Sequence, residues 1–209
     1  MEMLFILLFF VSLFYIAISG RLFTCLNLLI LQGLLLFGVA IVELNEINMV
    51  NLLIVLLEML IFKAWFMPNY LKKVVNRNNI KRQVNPYISG FNSLLIVSLI
   101  IIGNLVFAYY IQNDFLKPAY IAAAFSGILT GLFLIISRKE ILMHLVGYVV
   151  LENGIVLLSF SVGKEMPFAV NAGILLDILI SVLVFGLFIN KIGKMFEDMD
   201  ITKLTSLSD

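Results

Sequence analysis

Apolar residues along this chain fall into seven long runs, at approximately 3–19, 24–42, 48–71, 88–111, 118–136, 141–161 and 168–190, with polar residues gathered between them. A helix rises about 1.5 Å per residue and the hydrocarbon core of a bilayer is ~30 Å thick, so about twenty residues make one crossing. The runs meet that length, which predicts seven transmembrane helices. Outside them only the stretch 72–87 and the tail from Lys191 are polar over any distance, too little to house a soluble domain. Soluble chemistry must therefore come from partners. The first run has neither a basic leader nor a small-residue cleavage site and passes straight into further spans, which predicts a retained helix rather than a signal peptide.

Composition agrees with this class: 62% of the 209 residues are apolar and 13% are charged. The net charge of +1 conceals a strong asymmetry in where the cations fall. With the N-terminus outside, the inner side collects Arg21, Lys72, Lys73, Arg77, Lys81, Arg82, Arg138, Lys139, Lys191, Lys194 and Lys203, eleven of the fourteen basic residues. The outer side keeps Lys117 and Lys164 together with Glu43, Glu46, Asp114 and Glu165, and Lys63 lies within a span. Short cytoplasmic loops retain lysine and arginine, so the expectation is N-terminus out and C-terminus in. The basic 72–87 loop is explained by that retention, with lipid headgroups as a further contact, and calls for no nucleic acid.

Three acids break the apolar pattern near mid-span: Glu58, Glu152 and Asp177. An ionised side chain at a helix centre costs roughly 2.5–3.5 kcal/mol on insertion scales, so three of them mark sites that move or hold charge. Low dielectric disfavours the ionised form of a carboxyl group and brings its proton exchange toward neutral pH. Glu152 and Asp177 fall on consecutive helices of opposite direction, close enough at ordinary helix spacing to communicate through one or two waters. The plainer reading is a protonated, hydrogen-bonded structural acid. Lys63 follows Glu58 by five positions, about 140° around an α-helix, so its partner is expected elsewhere. It is either part of a proton route or a side chain snorkelling to the inner interface, with Pro68 freeing a backbone carbonyl nearby. His144 stands near the inner face eight residues before Glu152, either as a proton-uptake residue or simply hydrogen-bonded there.

An internal repeat underlies these positions. Spans one to three and five to seven share one plan, in which Gln32 corresponds to Glu152 at an offset of 120, Glu58 to Asp177 at 119 and Arg21 to Arg138 at 117. Three crossings leave the chain on the opposite side, so a second copy in the same orientation needs one linking helix, which span four supplies. Any two hydrophobic hairpins look alike in outline; the aligned mid-depth polar residues favour duplication. The expected fold is therefore an all-α polytopic membrane protein of two parallel three-helix repeats. The first repeat occupies 1–75, a basic loop and linking helix 76–116, the second repeat 117–195 and a cytoplasmic tail 196–209.

The stretch ILTGLFLIISRKEILMHLVGYVVLENGIVLLSF, Ile128 to Phe160, resembles the three-helix NuoK subunit of respiratory complex I and its relatives in cation antiporters. Glu152-Asn153-Gly154 matches the first acid position of that family and Asp177 the second, where the complex I subunit has glutamate. Over nearly its whole length the chain resembles the hydrogenase-4 component E family. The matching features are Arg21 before Cys25, Gln32, Lys63 followed by Pro68, the Arg138 turn, Leu151-Glu152-Asn153-Gly154 and the Asp177-Ile178 helix. The resemblance implies a subunit of a complex I-like membrane-bound hydrogenase or formate hydrogenlyase that contributes carboxylates to proton translocation. It also implies antiporter-like membrane subunits as partners, with nickel–iron and iron–sulfur centres held by other subunits. The competing readings are a passive scaffold between antiporter-like subunits, a subunit of a related cation antiporter complex, and, more weakly, a self-sufficient transporter.

One cysteine, Cys25, and one histidine leave no means for this chain alone to build a disulfide, a zinc site or an iron–sulfur cluster, so no cofactor is expected in it. Gly127 and Gly131 form a GxxxG element suited to close helix contact, and Asn27, Asn92, Asn104 and Asn171 are candidates for interhelical hydrogen bonds.

Overall fold

The computed structural model describes residues 2–43, 58–77, 86–111 and 117–161. These form helices α1 (Glu2–Ile18) and α2 (Leu22–Glu43), a π-helical segment (Glu58–Phe66) running into α3 (Met67–Arg77), then α4 (Gly90–Tyr110), α5 (Pro118–Ser137) and α6 (Ile141–Ser161). Among the described residues there is no strand, and four helices are long and apolar enough to cross a membrane: α2, α4, α5 and α6. The chain is a multi-pass membrane protein. The apolar α1 is shorter than those four, and the expected seventh span, 168–190, lies outside the described residues.

Contacts between helix ends show that α4, α5 and α6 alternate in direction and that α1 runs parallel to α5. At one end Lys117, the N-cap of α5, donates its backbone N–H to the carbonyl of Ser161 at 3.0 Å, and its ammonium lies 3.9 Å from the Glu2 carboxylate. At the other end the Tyr87 N–H bonds the Ser137 carbonyl at 2.9 Å, and the Arg138 guanidinium donates to the carbonyl of Ala17. The starts of α1 and α5 and the finish of α6 thus share one layer. The finishes of α1 and α5, the approach to α4 and the start of α6 share the other. Arg21, Arg138 and Lys139 lie in this second layer, as the charge pattern predicts for the turns it groups together.

The tightest pairing is α5 on α6, and small residues set it. A Cβ placed on Gly131 would stand 2.6 Å from the Gly147 carbonyl oxygen, and one on Gly154 would stand 2.7 Å from the Ala124 carbonyl oxygen. The GxxxG element expected at Gly127 and Gly131 is thus met by glycines on the partner helix, the arrangement that lets backbones approach in a membrane. Asn104 on α4 donates to the Ser126 hydroxyl on α5 at 3.3 Å, an interhelical bond of the kind expected. Asn92 instead gives its backbone N–H to the Ser89 hydroxyl that caps α4, Asn27 is exposed, and Asn171 lies outside the described residues.

The expected third span, of which 58–71 are described, departs from expectation in winding. Pro68 has no N–H, and its ring displaces the carbonyl four residues back, so the preceding backbone, Glu58–Phe66, takes the wider i→i+5 turns of a π-helix. The expected separation of Glu58 and Lys63 by about 140° holds only for α-helical winding. In the i→i+5 pattern Lys63 closes a turn on Glu58, so the two positions come to the same side of the segment. The Glu58 side chain itself lies outside the described residues.

Candidate functional site

Polar side chains that an apolar span should not carry meet at mid-depth between α1, α2 and α6. The hydroxyl of Ser12 donates to the carbonyl of Phe9 at 2.6 Å, leaving its oxygen to accept from Gln32 Nε2 at 2.9 Å. That orients the Gln32 amide, whose Oε1 accepts from Asn153 Nδ2 at 3.0 Å. Each bond fixes the direction of the next, and the chain ends with Asn153 Oδ1 buried and without a hydrogen-bond donor among the described residues. Ser12 and Asn153 are each 1% exposed and Gln32 is fully buried, so these amides and the hydroxyl are shielded from lipid and water alike. In such surroundings an unmade bond is costly, which makes the chain a three-helix tie as well as a polar environment.

Glu152 adjoins this chain. It is 1% exposed, near the middle of α6, with both carboxylate oxygens buried. Gly154 faces α5; Glu152, two positions earlier and about 160° around the helix, therefore points to the opposite side of α6. Lys63 is buried at 2% exposure, so the snorkelling alternative, which needs an ammonium in contact with the interface, does not describe it. Its neighbour Ala64 packs on α2 so closely that a Cβ on Gly33 would lie 2.9 Å from the Ala64 Cα. This puts the backbone stations of Lys63 and Gln32 beside one another across the interface of α2 and the π-helical segment.

His144 sits in the first turn of α6, partly buried, with Nε2 2.8 Å from the Arg138 carbonyl oxygen. Arg138, in the turn between α5 and α6, is itself buried. Burial pushes its guanidinium pKa down, opposed by the nearby Cys25 and Glu140, and it remains a cation. The Glu140 carbonyl accepts from the N–H groups of Met143 and His144, making Glu140 the residue on which α6 starts.

Of the five residues singled out from the sequence, Glu152 and Lys63 are buried, Glu152 and His144 share α6, Glu58 begins the π-helical segment, and Asp177 lies outside the described residues. Sequence reading overlooked Ser12. The available signal was a hydroxyl midway along an apolar run, weak because serine in a helix routinely satisfies itself on the preceding turn. Among the described residues no three His, Cys, Asp or Glu side chains come together as metal ligands would.

No protein-family model matches the sequence, and no solved structure matches it. It is 27% identical to an uncharacterized protein of Mycobacterium tuberculosis over 188 residues, 88% of this chain and 84% of that relative. It is 36% identical over 92 residues to hydrogenase-4 component E of Escherichia coli and, equally, of Shigella flexneri. That similarity covers 44% of this chain, which spans 42% of the length of those relatives.

Proposed function

We propose that this chain is a membrane subunit of a complex I-like, membrane-bound hydrogenase or formate hydrogenlyase, and that its intramembrane carboxylates take part in proton translocation. The observation that carries the reading is Glu152: an acid buried at mid-depth of an apolar helix, beside a directed chain of amides. Such a group is expensive to place in a membrane and chemically suited to taking up and releasing a proton. The similarity to hydrogenase-4 component E supports the hydrogenase-subunit part of the reading.

In this account Glu152, Asp177 and Glu58 are the proton-bearing carboxylates, Lys63 is a buried cation on the same route, and His144 is the group nearest the basic turns. The duplicated layout belongs to the proposal too. Its support is that α1 and α5 run in the same direction, and that the contacts Gln32–Asn153 and Ala17–Arg138 each join residues 121 apart, close to the repeat offset. Nickel–iron and iron–sulfur chemistry belongs to partner subunits, and antiporter-like membrane proteins are the expected neighbours.

Affinity purification of the tagged chain from native membranes in mild detergent tests the assembly. The proposal expects stoichiometric co-purification of antiporter-like subunits and of a protein carrying nickel and iron–sulfur clusters. Recovery of the chain in a complex with antiporter-like subunits and no metal-bearing subunit would replace the hydrogenase reading with that of a cation antiporter component. Recovery as a stable, uncomplexed monomer would remove the subunit reading altogether.

A further inference from the structure

Four side chains able to hold or pass a proton stand four residues apart on α6: Glu140 at its N-cap, His144, Tyr148 and Glu152. Each step of four advances about 6 Å along the axis and drifts about 40° around it, so successive members are neighbours across one helical turn. Helical side chains lean toward the N-terminus, here toward the layer of basic turns, which directs each member back over the one before it. The other three rows of α6, beginning at Ile141, Leu142 and Met143, are apolar until Asn153. Apolar packing alone would not sort the polar groups into a single row. Burial is graded as well: Glu140, His144 and Tyr148 are partly buried and Glu152 is buried.

The hydrogen bond to Arg138 selects one tautomer of the neutral His144 ring. The Arg138 carbonyl only accepts, so Nε2 carries the hydrogen of that bond, and Nδ1 of the neutral ring keeps a lone pair. Among the described residues, Arg138 and Cys25 lie at this end buried beside one another, with the exposed Arg21 and Lys139, the last over the ring of Tyr87 at 4.8 Å, while Lys72, Lys73 and Arg77 are carried on α3, which packs on α2. None of these lies on the row between His144 and Glu152.

We infer that this row is the access route by which protons reach Glu152 from the side of the basic turns, with Tyr148 as the carrier between His144 and Glu152. The inference rests on the reading of Glu152 as a proton-translocating carboxylate. A proton taken up on His144 Nδ1 passes to the Tyr148 oxygen, directly or through one water, as the Tyr148 hydroxyl proton passes on toward a Glu152 carboxylate oxygen. His144 returns to its neutral form, Tyr148 stays neutral and Glu152 ends protonated. The Tyr148 hydroxyl then turns back for the next proton.

The test uses the complex purified through this chain and reconstituted in vesicles, comparing Tyr148→Phe, His144→Gln and Glu152→Gln for initial rates of pH-gradient formation per intact complex. Tyr148→Phe removes one oxygen and keeps the ring; His144→Gln keeps a donor for the Arg138 carbonyl and removes the exchangeable site. The route expects about a tenfold loss for Tyr148→Phe with a larger H2O/D2O rate ratio, and a loss of ~10²-fold for Glu152→Gln. It also expects His144→Gln to be slow and to recover when imidazole is supplied on the side of the basic turns. Wild-type rates for Tyr148→Phe alongside an inactive Glu152→Gln would overturn the route and leave the Glu152 reading standing. A slow Tyr148→Phe with an unchanged isotope ratio would also overturn it, since lost packing does not alter proton transfer. Wild-type pumping by Glu152→Gln would remove the underlying reading and the route with it.

Discussion

Replacing Gly131 by alanine adds one methyl group at the tightest glycine position among the described residues. That Cβ would meet the Gly147 oxygen and the Leu151 nitrogen at 2.6 Å, where ordinary contact begins at 3.4 Å, so α5 and α6 must part by about 0.8 Å. A gap of 0.5–1 Å already forfeits about a quarter to a half of the dispersion energy of the atoms around it, and overpacking of this kind costs ~1–3 kcal/mol. Alanine returns about 0.8–1.0 kcal/mol through helix propensity. The balance is a net loss of up to about 2 kcal/mol. Gly103 on α4 supplies the control, because a Cβ there meets nothing within 4 Å and only the propensity gain remains. The single cysteine, Cys25, is fully buried and serves as an intrinsic probe of global unfolding. Pulse labelling with a maleimide across an SDS titration of the purified complex should show Gly131→Ala unfolding earlier than the parent and Gly103→Ala later. Two variants shifted equally, or Gly131→Ala more stable than the parent, would refute the claim that this glycine contact sets the spacing of the helices.

The amide chain makes a second prediction. Gln32→Leu leaves the Ser12 oxygen and the Asn153 amide hydrogens without their partner; with interhelical bonds in membranes averaging ~0.6 kcal/mol, the expected loss is about 1–2 kcal/mol. In the same labelling assay, Ser12→Ala should add little once Gln32 is gone, and full additivity would mean the two do not act as one chain. Topology makes a third. On a Cys25→Ser background, Tyr87→Cys should react with impermeant reagent from the cytoplasmic side and Lys117→Cys from the opposite side; labelling of both from one side would contradict the alternation of crossings.

Hydropathy made most of this fold legible, because length and apolarity are averaged over twenty residues and survive local irregularity. The layer of basic turns was legible for a similar reason: Arg21, Arg138 and Lys139 each follow a complete run. Winding was not. Glu58 and Lys63 were set apart around an α-helix, and the π-helical turns ahead of Pro68 bring those positions to one side; a period of 3.6 carries no warning of that change. The GxxxG at Gly127 and Gly131 was visible, whereas its answering glycines, Gly147 and Gly154, depend on how α6 is rotated against α5. For the site, Glu152 stood out because a mid-span acid is rare. Ser12 did not, since its importance comes entirely from Gln32, twenty residues away in sequence and 2.9 Å away in space.

The central claim, that Glu152 carries protons rather than merely occupying the core, is met most directly by Glu152→Gln in the reconstituted complex. Glutamine keeps the shape and most of the hydrogen-bonding capacity of the carboxyl group and cannot exchange its proton. The account predicts that the variant assembles in normal amount, that pH-gradient formation per intact complex falls strongly, and that Asp177→Asn and Glu58→Gln cause equal or smaller losses. A Glu152→Gln complex that forms the gradient at the parent rate would contradict it and leave this chain a scaffold with a protonated structural acid.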